Sequence, residues 1–325
     1  MSGRACLVAG GILVGLMSSG GAGAEPLKIG HSTWVGYGPL YIAQDEGLFD
    51  AEGIEVELIV MEDPKIRFPA LAAGQIDIAV TTVDTMLNFL NENQGYVYLF
   101  ALDDSRGGDG IVANQDIETL ADLEGKSVAY AEGSVSQFYL GVLLKEAGLS
   151  IADVETQNMT AGDAGAAFVA ERVDAAVTWE PWLTRGRQAE HGHVLVDSST
   201  SPGLITDMAI TTPEKLEARR DDFKALYRAW VEAVEYQKAN EKAADEIMAR
   251  GVGGWLEDPA VFAETRAGIV YYDDAMNQEF IGTAEAPGGI TKTIENALEL
   301  GREIGQFDHA GVAPTDLIAF DIVNQ

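Results

Sequence analysis

Four short stretches set aromatic or hydroxyl side chains beside glycine or proline. They are Trp34 and Tyr37 in Thr33-Trp34-Val35-Gly36-Tyr37-Gly38, the pair Thr81-Thr82, Ser134 and Ser136 after Gly133, and Trp179-Glu180 before Pro181. Acids gather in two more: Asp103, Asp104 and Asp109, with Ser105 among them, and Asp207 alone in an otherwise apolar run. Indole and phenol faces attract a cation, and carboxylates accept charge-assisted hydrogen bonds from one. Hydroxyls and free backbone N–H groups at a helix start suit an anion. That is the chemistry of non-covalent capture. Catalytic patterns are scarce: the four histidines are His31, His191, His193 and His309, and there is no HExxH, nucleophile elbow or phosphate-binding glycine loop with lysine. His191-Gly192-His193 could chelate a metal on one strand edge, but without Cys or further His placed nearby it reads as a surface turn. His31, ending the first strand, is expected either in the core or near the site, and no metal or cofactor is expected.

The elements that must position these groups show a repeat. Gln75-Ile76-Asp77-Ile78-Ala79-Val80-Thr81-Thr82 is echoed about a hundred residues later by Arg172-Val173-Asp174-Ala175-Ala176-Val177-Thr178-Trp179-Glu180. Each copy follows an Ala-rich helical pattern and runs from an aliphatic residue through Asp into a buried-strand run that ends on Thr. A unit used twice predicts two similar α/β lobes, each with a sheet flanked by helices. Asp77 and Asp174 are expected to be structural; Trp179 and Glu180 stand where the first copy has Thr82 and Val83. Ligands of open α/β sheets bind beyond the carboxyl ends of strands, which is where the aromatic and hydroxyl residues fall.

Strands are predicted at 27–31, 54–61, 96–102, 127–130, 154–158, 175–178, 194–197 and 204–211. A helix at 64–73 is expected to break at Pro69, and the chain from Pro213 onward to be mostly helical. The glycine- and acid-rich run 103–110 and the run 204–211 read as two crossings between lobes. The expected organisation is a signal peptide at 1–24, one lobe from 25–106 and 209–325, and the other from 107–208.

With 325 residues, 47% hydrophobic and 22% charged, the chain can bury two ordinary cores. In the first 24 residues Arg4 is the only charge, Leu7 to Met17 is apolar, and Ala22-Gly23-Ala24 offers a cleavage site, the pattern of a secretory signal peptide. The apolar run is shorter than the ~20 residues a spanning helix needs. The only cysteine, Cys6, lies within it, so the exported chain would have neither thiol nor disulfide. A soluble, unanchored periplasmic monomer is expected. The formal net charge of −31 disfavours nucleic acid and anionic membrane as partners, and a high-salt habitat would account for so acidic a surface.

Four segments in order carry a family resemblance: 33–43 with Glu46-Gly47-Leu48-Phe49, Ala72-Ala73-Gly74-Gln75-Ile76-Asp77, Asp122-Leu123-Glu124-Gly125-Lys126-Ser127-Val128-Ala129, and Thr178-Trp179-Glu180-Pro181-Trp182. Together they resemble the substrate-binding proteins of nitrate/sulfonate/taurine-type ABC transporters. The resemblance implies a two-lobe, hinge-bending periplasmic binding fold (type II-like), a small molecule enclosed between lobes, and delivery to an ABC permease in the inner membrane. The family spans sulfonates, nitrate and thiamine pyrimidine precursors. Taurine-binding members resemble this chain in carrying an acid at the position of Asp207, which implies an amine contact there. Asp104, Asp109, Glu180 and Asp207 beside Trp34, Tyr37 and Trp179 suit an amine-bearing or zwitterionic ligand; Ser134, Ser136, Thr81 and Thr82 could instead hold an anionic head, with Arg106 as the nearby cation. Two other readings stay open: an enzyme on the same fold, of thiamine-precursor or menaquinone type, and a periplasmic ligand sensor.

Overall fold

The computed structural model describes residues 25–325 apart from 92, 254, 255 and 257. The expected signal peptide and Cys6 lie outside the described residues.

Strand β1 (Leu27–His31) leads through helices α1 (Gly38–Asp45) and α2 (Leu48–Ala51) to β2 (Val56–Val60), then α3 (Pro64–Ala72), β3 (Ile78–Thr82), α4 (Val83–Phe89) and β4 (Val97–Ser105). A second group follows: β5 (Asp109–Asn114), β6 (Ser127–Tyr130), α5 (Val135–Glu146), β7 (Glu155–Asn158), α6 (Ala161–Val169), β8 (Ala175–Trp179), α7 (Trp182–Arg187) and β9 (Gly192–Asp197). The chain then returns as β10 (Thr206–Thr211), α8 (Pro213–Ala239), α9 (Glu241–Val252), α10 (Pro259–Thr265), β11 (Ile269–Tyr271), α11 (Asp274–Ile281) and α12 (Ile290–Glu303). The strands form a six-stranded sheet ordered β11-β4-β10-β3-β1-β2 and a five-stranded sheet ordered β7-β6-β8-β5-β9. No described helix is long and apolar enough to cross a membrane.

The repeated unit does the same work twice. In the first copy the Asp77 N–H donates to the Lys28 carbonyl at 2.8 Å, while its Oδ2 accepts from the Lys28 N–H at 2.9 Å. In the second, Asp174 N–H donates to Ser127 O at 3.0 Å and Oδ2 accepts from Ser127 N–H at 2.8 Å. Each aspartate therefore ties the entry of one parallel strand to the entry of its neighbour, β3 to β1 and β8 to β6. Strands β3, β4, β8 and β10 are buried along their whole length, which is why β3 and β8 read as runs of small, β-branched and apolar residues rather than alternating ones.

Several expectations need correction. The run 103–110 is mostly strand: β4 continues through Asp103, Asp104 and Ser105, and β5 begins at Asp109. Acids in a buried strand oppose their own propensity, so tertiary pairing overrides the local signal. The strand expected at 204–211 is present as β10, but it lies antiparallel between β3 and β4 and is no crossing, so Asp207 belongs to the six-stranded sheet. Helix α3 runs through Pro69 without a break; in so short a helix the proline removes one late hydrogen bond. The three-residue β11 went unread in a stretch taken as helix and loop.

The C-terminal segment also touches the second group of elements. Phe307 stacks on Phe138 of α5 at 6.4 Å, Lys145 pairs with Glu303, and Ile304 fills the space over Gly141. Two crossings, at 106–108 and 198–205, and this packed contact are where the two halves meet away from the cleft.

Candidate functional site

The strand ends of both sheets open on one cavity. From the six-stranded side it is lined by Ser32, Trp34 and Tyr37 after β1, by Glu62, Pro64 and Arg67 after β2, by Thr81, Thr82 and Thr85 at the end of β3, and by Asp207 of β10. Asp109, Ser134, Val135 and Trp179 line it from the five-stranded side. The cavity is partly open to solvent and measures about 30 Å³, room for about two waters at ~10–15 Å³ each.

The walls are held by named contacts. Trp34 Nε1 donates to both Asp103 carboxylate oxygens at 3.2 Å, and the Tyr37 hydroxyl donates to Asp207 Oδ1. Asp207 is the register partner of Asp103 on one side and Thr82 on the other, so two carboxylates sit side by side on neighbouring strands. Trp179 Nε1 crosses the cleft and donates to the Thr33 carbonyl at 2.8 Å. Glu62 accepts from Thr33 Oγ1 at 2.6 Å. The buried Arg67 guanidinium donates to the carbonyls of Met61 and Val80 at 2.7 to 3.0 Å. Ser134 caps α5 by accepting from Ser136 N–H, and its hydroxyl donates to Ala131 O at 2.7 Å. Thr82 and Thr85 share a hydroxyl hydrogen bond of 2.8 Å. At the rim Lys65 of α3 meets Glu132 across the cleft at 2.9 Å.

Burial dominates the electrostatics. It pushes Asp207 up to about 7, with the Tyr37 hydroxyl pulling the other way and Asp84 adding to the rise. Asp84, also desolvated, rises to about 7, and its Oδ1 has no hydrogen-bond partner. Asp103 rises through burial and the neighbouring Asp207, and Asp109 through burial with Asp207 and Asp84 close by. Arg67 is the one cation among the described lining residues.

Eight residues singled out in the sequence line the cavity: Trp34, Tyr37, Thr81, Thr82, Asp109, Ser134, Trp179 and Asp207. Four others lie off the lining. Asp104 pairs with Arg106 Nε at 2.8 Å. Ser105 shares a hydrogen bond with Ser198 Oγ at 2.8 Å and accepts from Asp109 N–H, so it braces the two crossings. Ser136 is buried in α5 behind the wall, and Glu180 accepts from Thr184 N–H and Oγ1, closing the start of α7. His31 stands behind Tyr37, ring to ring at 5.9 Å, and burial lowers it to about 4. His191 reaches the Phe168 carbonyl at 3.0 Å, and His193 lies in β9. Ser32, Glu62, Pro64, Arg67, Thr85 and Val135 were missed. The rule that strand ends face the ligand, applied to β2 as to its neighbours, would have found Glu62 and Pro64; nothing local marks Arg67.

A sequence model described as NMT1/THI5 like matches residues 34–244. A protein of Brucella abortus provisionally named a binding protein is 25% identical over 233 residues, 69% of this chain and 71% of its own. One of Bacillus subtilis, provisionally named an aliphatic sulfonates-binding protein, is 25% identical over 214 residues, 64% of each. The crystal structure of the periplasmic aliphatic sulphonate binding protein SsuA of Escherichia coli superposes with a TM-score of 0.71 at 20% identity, covering 93% of this chain and all of that one. That likeness is one of fold: two mixed sheets flanked by helices, as in periplasmic binding proteins.

Proposed function

The chain belongs to the NMT1/THI5-like family, and on that basis we propose that it is the extracytoplasmic solute-binding component of an ABC importer, closing around a small amine-bearing or zwitterionic compound. The observation that carries the ligand class is the lining. Asp109 and Asp207 face the cavity beside Trp34, Tyr37 and Trp179, while Arg67 has given most of its N–H groups to backbone carbonyls. An ammonium group between those carboxylates and rings gains charge-assisted hydrogen bonds and cation–π contact. A second, anionic end is served by the starts of α3 and α5, whose first residues Pro64 and Val135 are in the wall and whose dipoles point their positive ends inward.

On this reading the lobes are the halves built on the two sheets, and they hinge at 106–108 and 198–205. The protein works as a monomer that presents its closed form to a permease, and it returns the ligand unchanged. A thermal-shift screen of amines, zwitterions, sulfonates, pyrimidines and nitrate tests the ligand class, because binding to the native state alone raises its stability by mass action. Stabilisation by amine-bearing compounds is expected; a screen in which only simple inorganic anions stabilise would sink it. Mass spectrometry of the released ligand tests the absence of chemistry: an altered mass would favour an enzyme.

A further inference from the structure

Asp109 and Asp207 line the cleft, and Asp84 and Asp103 are buried next to them, outside its lining. Among the described residues none of them forms an ion pair with lysine or arginine. Asp104 takes Arg106, and Arg67 serves carbonyls while acting on Asp207 only at longer range. Asp103 and Asp207 are register partners on adjacent strands, and like charges directly opposite repel. Each accepts from one neutral donor of the aromatic wall, Trp34 Nε1 or the Tyr37 hydroxyl. Two bare charges there, desolvated and adjacent, cannot both persist in an empty cleft.

We propose that the cleft exchanges a proton for its ligand's cationic group, the Asp103–Asp207 pair holding that proton while the cleft is empty. As an ammonium group enters, the carboxylic O–H bond breaks with its electron pair left on oxygen. The proton passes to solvent, and an ammonium N–H donates to the carboxylate it leaves. The exchange rests on the amine-binding reading above and adds its stoichiometry.

Burial and the neighbouring acids favour this, while the Tyr37 and Trp34 hydrogen bonds and distant Arg67 oppose it. Asp207 is faced by Tyr37, by Asp84 of α4, by Asp104 of β4 and at a distance by Arg67. Asp103 is faced by Asp104, Asp109 and Trp34, and by Tyr271 of β11. Asp109 is faced by Asp84 and Glu180, and Glu62 is tied to Thr33. His31 behind Tyr37 is kept neutral by burial. Burial raises both members of the pair, Asp207 to about 7, so an empty cleft retains the proton in most molecules below that pH.

Taurine, 1,4-diaminobutane and ethanolamine serve as probes in titration calorimetry at pH 6.5, in phosphate and in a Tris-type buffer of larger ionisation enthalpy. Release of about one proton per ligand is expected, with affinity rising about tenfold per pH unit between pH 5 and 7. Equal enthalpies in both buffers, with binding observed, overturn the exchange and leave the amine reading standing; if none of the probes binds, both fall. Asp207→Asn should bind with little or no proton release. Should that variant not fold, carboxyl ¹³C NMR of the empty parent decides: an Asp titrating near 7 supports the exchange, and full ionisation of every Asp by pH 5 overturns it.

Discussion

Trp179 is both wall and latch. Its ring lines the cavity and its N–H spans the cleft to the Thr33 carbonyl. Trp179→Phe should retain much of the ligand affinity, whereas Trp179→Ala should lose at least about tenfold, the size of a cation–π contact with its packing; calorimetry with a stabilising ligand from the screen measures both. Unaltered affinity in the alanine variant would remove Trp179 from the site. The buried acids also set a pH dependence. A carboxyl raised in the folded state makes that state hold more protons than the unfolded chain, so its contribution is full below about 4 and is lost as pH rises towards 7 for Asp84 and Asp207. Thermal midpoints of the empty protein should therefore decline across that window, and Asp207→Asn should flatten the decline. Asp174→Ala should instead cost about 1 kcal/mol by freeing the half-buried Ser127 N–H, with ligand affinity unchanged.

At the scale of elements, the loop after β1 depends on Gly36. A Cβ there would run into the Trp34 indole nitrogen and the Asp103 carboxylate. Gly36→Ala should weaken ligand binding and lower the thermal midpoint together, because Trp34 cannot stay seated on Asp103; a variant with parental affinity would show that the loop tolerates repacking. The two copies of the repeated unit were legible in the sequence because Asp followed by a small, β-branched run is a local pattern, and the strand ends that follow it fell at the cavity. Asp103 and Asp104 were not legible as strand residues, since only the partners β10 and β11 supply the pairing that keeps acids in β4. Glu180 looked like a ligand group beside Trp179, yet it turns to the start of α7, a choice made by backbone direction after the strand.

Across the whole molecule, the proposed hinge opening would break contacts at the cleft mouth, while Phe138 packs on Phe307 away from it. The exposed Lys65–Glu132 pair is itself worth little, ~0–1 kcal/mol, but it marks where the halves touch. Lys65→Cys with Glu132→Cys, joined by a short bismaleimide, should slow ligand exchange sharply in stopped-flow fluorescence. The linked protein exchanging as fast as the unlinked one would place the moving parts elsewhere. A formal charge of −31 spread over the chain implies self-repulsion that salt screens. The thermal midpoint should rise between 0.05 M and 1 M KCl, and a flat response would mean the charges are already compensated locally.

Sequence alone determined the architecture and picked out most of the aromatic and hydroxyl residues that line the cavity. Both follow from short-range rules: hydrophobic period, helix starts, and the tendency of strand ends to face a crevice. Only the tertiary structure decided which acids meet. Asp103 and Asp207 are a hundred residues apart and become neighbours through the antiparallel pairing of β10 with β4, while Asp104, one residue away, turns to Arg106. Side-chain direction in a strand alternates residue by residue, so a shift of one position separates the carboxyl that meets Asp207 from the one paired with Arg106.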